Sequence, residues 1–128
     1  PWKRLCALPA LWTGLLYDQT ALDSAWDIVK KWSPDDHNYL RQEVPKTALK
    51  TSFKGGTVQG LAQQTLEVAA FGLRNRRKVD ARGLDETGFL GPLFKIADSG
   101  LTPADEMLMR YDDDWGKDPN KVFSEFSY

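Results

Sequence analysis

At 128 residues, with 41% hydrophobic and 27% charged side chains, the chain has the size and composition of one folded globular domain, far from the disordered regime. Seventeen basic against eighteen acidic residues leave a formal net charge of -1, so no overall field favours nucleic acid or an anionic membrane as partner. Cys6 is the single cysteine, which excludes a disulfide within the chain and a cysteine-based zinc site, and no run approaches the roughly 20 apolar residues of a transmembrane helix.

A lone cysteine and the lack of a signal peptide lead to an expected cytoplasmic location. The chain opens on Pro1, without methionine, and runs straight into the apolar stretch Leu5 to Tyr17. Such a start is expected to be a cut in a longer protein, leaving apolar surface, including some of the five tryptophans, that packs against sequence outside the chain. Leu5 to Tyr17 itself, interrupted by Pro9 and Gly14, reads as a buried helix or a strand-helix mixture, with helix preferred. Asp18 is an N-cap for a helix whose Leu22, Ala25, Trp26, Val29 and Trp32 recur on one face.

Ser33-Pro34-Asp35-Asp36 begins a third helix, with cap, proline in the first turn and carboxylates at the positive end of the dipole. Pro45 is expected to stop it, and Lys46 to Gly56 to be extended or looped. From Thr57, the residues Val58, Leu61, Ala62, Thr65, Leu66, Ala69 and Leu73 form another helical stripe, ending in basic Arg74, Arg76, Arg77 and Lys78. Val79 to Leu84 is a polar connector. Asp85 then caps a segment in which Leu90, Leu93, Phe94 and Ala97 fit a helix that Pro92 must kink or delay. Thr102-Pro103-Ala104-Asp105 is a capping box opening a helix to about Tyr111. After a turn at Gly116 to Pro119, Val122, Phe123 and Phe126 suit a short helix whose aromatics pack back on the body. The class is mainly α, with at most a short strand pair.

Candidate chemistry is sparse. His37 is the sole histidine and reads as a surface residue. Cys6, in an apolar run, reads as a small buried hydrophobe. Asp112, Asp113 and Asp114 are consecutive and so point in different directions, which suits a solvated helix end better than a magnesium site. The basic cluster Arg74 to Lys78 lacks interleaved aromatics for stacking on bases. Gly55-Gly56 lacks the spacing of a phosphate loop and reads as a turn.

Several strings add what composition and spacing do not: PWKRLCALPALWTGLLYD at residues 1–18, VPKTALKT at 44–51, Phe89-Leu90, Gly100-Leu101-Thr102-Pro103-Ala104, Trp115-Gly116, and Asp118-Pro119 with Val122-Phe123 before Tyr128. In wording and order they resemble the plant-type glutamate-cysteine ligase family, over essentially the whole chain. The resemblance implies that residues 1–128 are the single C-terminal helical region of a longer α+β ligase of the glutamine synthetase-like, glutamate-cysteine ligase type. It implies an enzyme that uses magnesium-ATP to phosphorylate the γ-carboxylate of glutamate, whereupon the amine of cysteine displaces phosphate, forming γ-glutamylcysteine in the first step of glutathione synthesis. Glutamate, cysteine and ATP are then the substrates, and Mg2+ and ATP are held mainly upstream of Pro1, on a catalytic region against which this chain packs. The same resemblance places Trp2 and Arg4 at the substrate pocket and gives Cys6 a redox role, with no catalytic or metal residue in the chain, which is expected to be inactive alone. The alternative reading is an independent helical module that binds a protein partner through exposed tryptophans.

Overall fold

Four helix starts are set by side chains that take up otherwise unpaired backbone N–H groups. The Asp18 carboxylate accepts from the Ala21 N–H at 2.9 Å, and the Thr57 hydroxyl accepts from the Gly60 N–H at 3.2 Å. Ser33 with Asp36 and Thr102 with Asp105 form complete capping boxes. The computed structural model describes residues 2–125, with side chains from Arg4 onward. Its helices are α1 (Trp2–Leu16), α2 (Gln19–Val29), α3 (Pro34–Thr47), α4 (Val58–Arg76), α5 (Gly91–Ser99), α6 (Pro103–Asp113) and α7 (Lys121–Glu125). Strands β1 (Ser52–Phe53) and β2 (Gly56–Thr57) pair antiparallel, Ser52 opposite Thr57. The expected class, mainly α with one short strand pair, is the class observed.

The core forms where α1 crosses α4. Gly14 and Gly72 meet there at backbone distance: a Cβ on Gly14 would lie 2.2 Å from the carbonyl oxygen of Ala69, and one on Gly72 would lie 1.9 Å from that of Gly14. Around this crossing Ala10, Leu15, Leu66, Ala69, Ala70, Leu73, Leu90 and Ala97 form one buried cluster. Gly14 is therefore a packing residue and not a break in the helix. Pro9 lies inside α1 on its exposed side, where the backbone bond it removes does not disturb the core contact.

Two expectations of burial, for α1 and for α7, are corrected. Leu5, Leu8, Trp12 and Leu16 of α1 are exposed by 61, 54, 53 and 51%, because the small residues Ala7, Ala10 and Gly14 take the inner face. On α2 the buried residue is Ala21, while Leu22 and Trp26 are 36 and 63% exposed and Trp32 lies beyond the helix end. Phe123 is 77% exposed: α7 is held by polar contacts, Glu125 accepting from Trp115 Nε1 at 2.8 Å and pairing with Arg110 at 2.8 Å. Phe126 and Tyr128 lie outside the described residues.

Helix α3 continues two residues beyond Pro45 and stops where Ala48 takes a φ of 48°, a left-handed value that the helical ladder cannot follow. A 3-10 turn at Ala48–Lys50 leads into the hairpin. Lys54 and Gly55, at φ 47° and 81°, supply the two left-handed residues of a tight turn. The hairpin is pinned to the start of α3. The Phe53 ring lies edge-on to Trp32 at 5.1 Å and stacks on Tyr39 at 6.4 Å, the Tyr39 hydroxyl donates to the Ser52 carbonyl at 3.0 Å, and Lys54 Nζ reaches Asp36 at 2.7 Å. Pro92 delays its helix as one of the two expected effects: a 3-10 turn at Glu86–Leu90, capped by Asp85, precedes α5.

Two outcomes are expected. Gly72→Ala should lower unfolding free energy by about 3 kcal/mol or more in urea titration, because neither backbone at the crossing can yield. Gly91→Ala, which meets nothing within 4 Å, should change it by no more than about 1 kcal/mol. Lys54, and then the Ser33 N–H, hold the Asp36 carboxyl down to about 2 from its usual 3.8. Since the folded value is the lower one, the contribution of this carboxylate to stability is complete above the usual value and is lost as pH falls through about 2. Carboxyl-carbon NMR should find that low midpoint, and Lys54→Ala should raise it.

Candidate functional site

Arg4 sits in the first turns of α1, and its guanidinium reaches Glu106 on α6 at 3.7 Å, with about half of each side chain open to solvent. The position of Glu106 follows from the capping box beside it. The Thr102 hydroxyl and N–H both donate to Asp105, at 2.6 and 2.8 Å, which fixes the first turn of α6 and carries Glu106 toward α1. These contacts, the Thr102 hydroxyl foremost and the charge of Lys50 last, lower the Asp105 pKa and keep it ionised as a cap.

Arg4, Lys95, Leu101 and Glu106 border two adjoining cavities. One, of about 460 Å³, is completed from α5 by Pro92, Ile96 and Ser99. The other, of about 530 Å³, runs along α6 past Arg110 and Asp113. Two cations beside a carboxylate form a charge pattern suited to a small ligand that carries both a carboxylate and an ammonium group. A third cavity, of about 610 Å³, lies in the connector between Lys78 and Phe89 and adjoins the first at Gly88. There Asp80 accepts from the N–H groups of Leu84 and Arg82, which with the Arg82 side chain lower its pKa.

The residues singled out from sequence are distributed unevenly. Arg4 lies at the cavities, whereas the side chain of Trp2 lies outside the described residues. Cys6 is exposed and not the buried hydrophobe expected, because Ala7 and Ala10 occupy the face of α1 turned to α4. His37 is exposed as expected, its ring 5.5 Å from that of Trp32. Part of the basic cluster serves the fold: Arg76 lies 3.4 Å from Glu86 and 5.5 Å from the Tyr17 ring, and Asn75 donates to Asp18 at 3.2 Å. Asp112, Asp113 and Asp114 end α6 in solvent. Among the described residues no three histidine, cysteine or carboxylate side chains gather as a metal would require, so these residues do not fit a magnesium site. Nor is any described helix long and apolar enough to cross a membrane.

Lys95 and Glu106 were not legible as site residues. Each reads alone as an ordinary exposed charge of an amphipathic helix, and only the packing of α5 and α6 beside the start of α1 brings them to Arg4.

The family model described as Glutamate-cysteine ligase family 2 (GCS2) matches residues 1–123. The chain is 41% identical over its whole length to a protein named glutamate–cysteine ligase, chloroplastic, from Brassica juncea, of which it covers 24%. Proteins of the same name from Arabidopsis thaliana and Solanum lycopersicum are 41% and 40% identical over the whole chain, which covers 23% of each. The chain thus spans about a quarter of the length of the curated relatives it matches. The cytoplasmic location expected from the sequence is corrected by these relatives, whose names place them in the chloroplast. One lone cysteine and a missing leader carry no information about compartment when a chain spans only part of its relatives.

As an exposed ion pair, Arg4 and Glu106 should contribute little to stability. A double-mutant cycle of Arg4→Ala and Glu106→Ala, read by urea unfolding, is expected to give a coupling below about 1 kcal/mol.

Proposed function

Because the chain belongs to glutamate-cysteine ligase family 2, we propose that residues 1–128 are one helical region, the C-terminal one, of a longer enzyme that joins glutamate to cysteine through the γ-carboxylate at the expense of ATP, the step that opens glutathione synthesis. The observation that carries this reading is identity of about 40% along the whole chain to proteins named for that ligase, with a family match from residue 1 to 123. A free-standing interaction module is not favoured by such a match.

Within that enzyme the chain acts as a scaffold and packs against the catalytic remainder. ATP, with magnesium as its counter-ion, is held by groups outside these residues, since the described carboxylates are scattered and three of them, Asp36, Asp80 and Asp105, are engaged as caps and turn anchors. Arg4 is the residue of this chain assigned to the amino-acid pocket. It carries a permanent charge, half exposed, at the edge of cavities large enough for an amino acid, and Trp2 joins it two residues upstream. Cys6 is assigned a redox role, for which its exposure provides the required access.

ADP release with glutamate, cysteine and magnesium-ATP should be measured on this chain and on the longer polypeptide that contains it. Activity is expected only in the longer protein. There Arg4→Ala should raise the KM for an amino-acid substrate by about tenfold or more, the loss of one charge-assisted contact, while the KM for ATP stays unchanged. Silence of the longer protein would sink the ligase reading, and turnover by the 128 residues alone would overturn the assignment of catalysis to other parts.

A further inference from the structure

Beyond its first turn, from Leu5 to Leu16, helix α1 is apolar on both sides. Its inner face closes on α4, and its outer face carries Leu5, Leu8, Trp12 and Leu16, at least half exposed, spaced three and four residues apart so that they form one line. That line runs into a groove of about 330 Å³, walled by Trp12 and Leu16 from α1 and by Leu22 and Trp26 from α2, with Leu61 and Thr65 of α4 among its lining residues. None of the described residues that line it is charged. A second groove, of about 340 Å³, shares Leu61 and Thr65 and extends the apolar surface to Leu93 and Ile96 on α5. The charges of α2 lie elsewhere: Asp23, Asp27 and Lys30 are exposed, and Asp27 and Lys30 pair with each other at 2.6 Å.

A surface helix normally turns a polar face to water, as α2 does, whereas a helix apolar all round belongs to an interior. We propose that the outer face of α1 and the α1–α2 groove are covered by the remainder of the same polypeptide, so that α1 is a middle layer of the full-length protein. This rests on the reading that the chain is part of a longer ligase, and it adds which face does the docking. Relatives run to about four times the length of this chain, so a covering segment is available within one molecule. Cover from the same molecule needs no second-order association and involves none of the translational entropy that a partner would lose. The described residues of the groove offer no charge for a charged partner to complement, so the occupant presents an apolar ridge, with leucine-sized or aromatic side chains entering between Trp12 and Trp26.

The test uses the longer polypeptide with Cys6→Ser. A thiol is introduced at the groove by Trp26→Cys or on the charged side of the same helix by Asp27→Cys, and maleimide labelling of each peptide is followed by mass spectrometry over a roughly hundredfold range of protein concentration. Labelling at Trp26→Cys is expected to be slower than at Asp27→Cys by about tenfold or more, at every concentration. Equal rates would show the face open and overturn the proposal. Slowing that appears only at high concentration would overturn it in favour of a second copy. Should Trp26→Cys fail to fold, hydroxyl-radical oxidation of the unaltered protein decides: Trp12 and Trp26 are expected to resist oxidation relative to Phe123, and equal oxidation overturns the proposal. ADP release by the unaltered longer polypeptide, with oxidation of Trp12 and Trp26 read on the same sample, separates the two readings. Protection without turnover removes the ligase and leaves the packing, and turnover without protection does the reverse.

Discussion

The approach of α1 to α4 at Gly14 and Gly72 is the constraint on which the rest of the structure depends. Two backbones meet there with no side chain between them, a contact open to glycine alone, and it sets the distance between the two longest helices of the described chain. Ala21 of α2 fits the same place, its methyl group 2.9 Å from where a Gly72 Cβ would stand, so the crossing also positions the second helix. Leu66 and Leu73 of α4, with Leu90 and Ala97 from the segment that returns, then close around it. Stability at such a crossing comes from many short dispersion contacts between backbones and small side chains, more than from the burial of large ones.

That choice has a consequence for the surface. Once glycine and alanine occupy most of the inner faces, several large apolar residues of α1 and α2 are turned outward. Leu5, Leu8, Trp12 and Leu16 of α1 and Leu22 and Trp26 of α2 therefore build exposed apolar surface, while the core rests on Ala69 and Ala70 with Leu15, Leu66, Leu73 and Leu90. Toward the C-terminal side the fold relies on polar ties: the capping box of α6, and Glu125 held by Trp115 and Arg110. The exposed pair of Arg110 and Glu125 contributes little, so the region of α6 and α7 is positioned more by its caps and the part-buried bond from Trp115 than by ion pairing.

Helix boundaries were legible because caps are local chemistry. Asp18, Ser33 and Thr102 announce their helices within three or four residues, and each makes the expected bond, while Asp85 caps the 3-10 turn that precedes α5. What was not legible depends on contacts remote in sequence. Gly14 and Gly72 are 58 positions apart, and nothing near either shows that they touch; Gly14 read as a break for that reason. The stripe from Leu22 to Val29 had the correct period, but period reports which residues share a face and not what covers that face. Pro45 read as a stop although a proline in the last turn removes a single bond, and the true stop is the reversal at Ala48, where no glycine or asparagine marks it. At the candidate site, Arg4 came into view only through resemblance, and Lys95 and Glu106 only through packing.

The crossing and the site are linked through the stiffness of one helix. Arg4 and Gly14 lie on α1, about 15 Å apart along its axis at 1.5 Å per residue, so an anchor that fixes the helix at Gly14 also fixes the direction in which its first turn projects. A tilt of about 4° about that anchor would displace Arg4 by roughly 1 Å, a misplacement large enough to break or remake its contact with the Glu106 carboxylate. The ion pair with Glu106 is too exposed to resist such a tilt alone. The backbone contact with Ala69 and Gly72 can resist it, and so can anything that seats against Trp12 and Leu16 on the opposite side. A helix gripped on both faces holds its end where a helix packed on one face would swing, and that is the physical sense in which the scaffold role we propose for this region would act on a site at its edge.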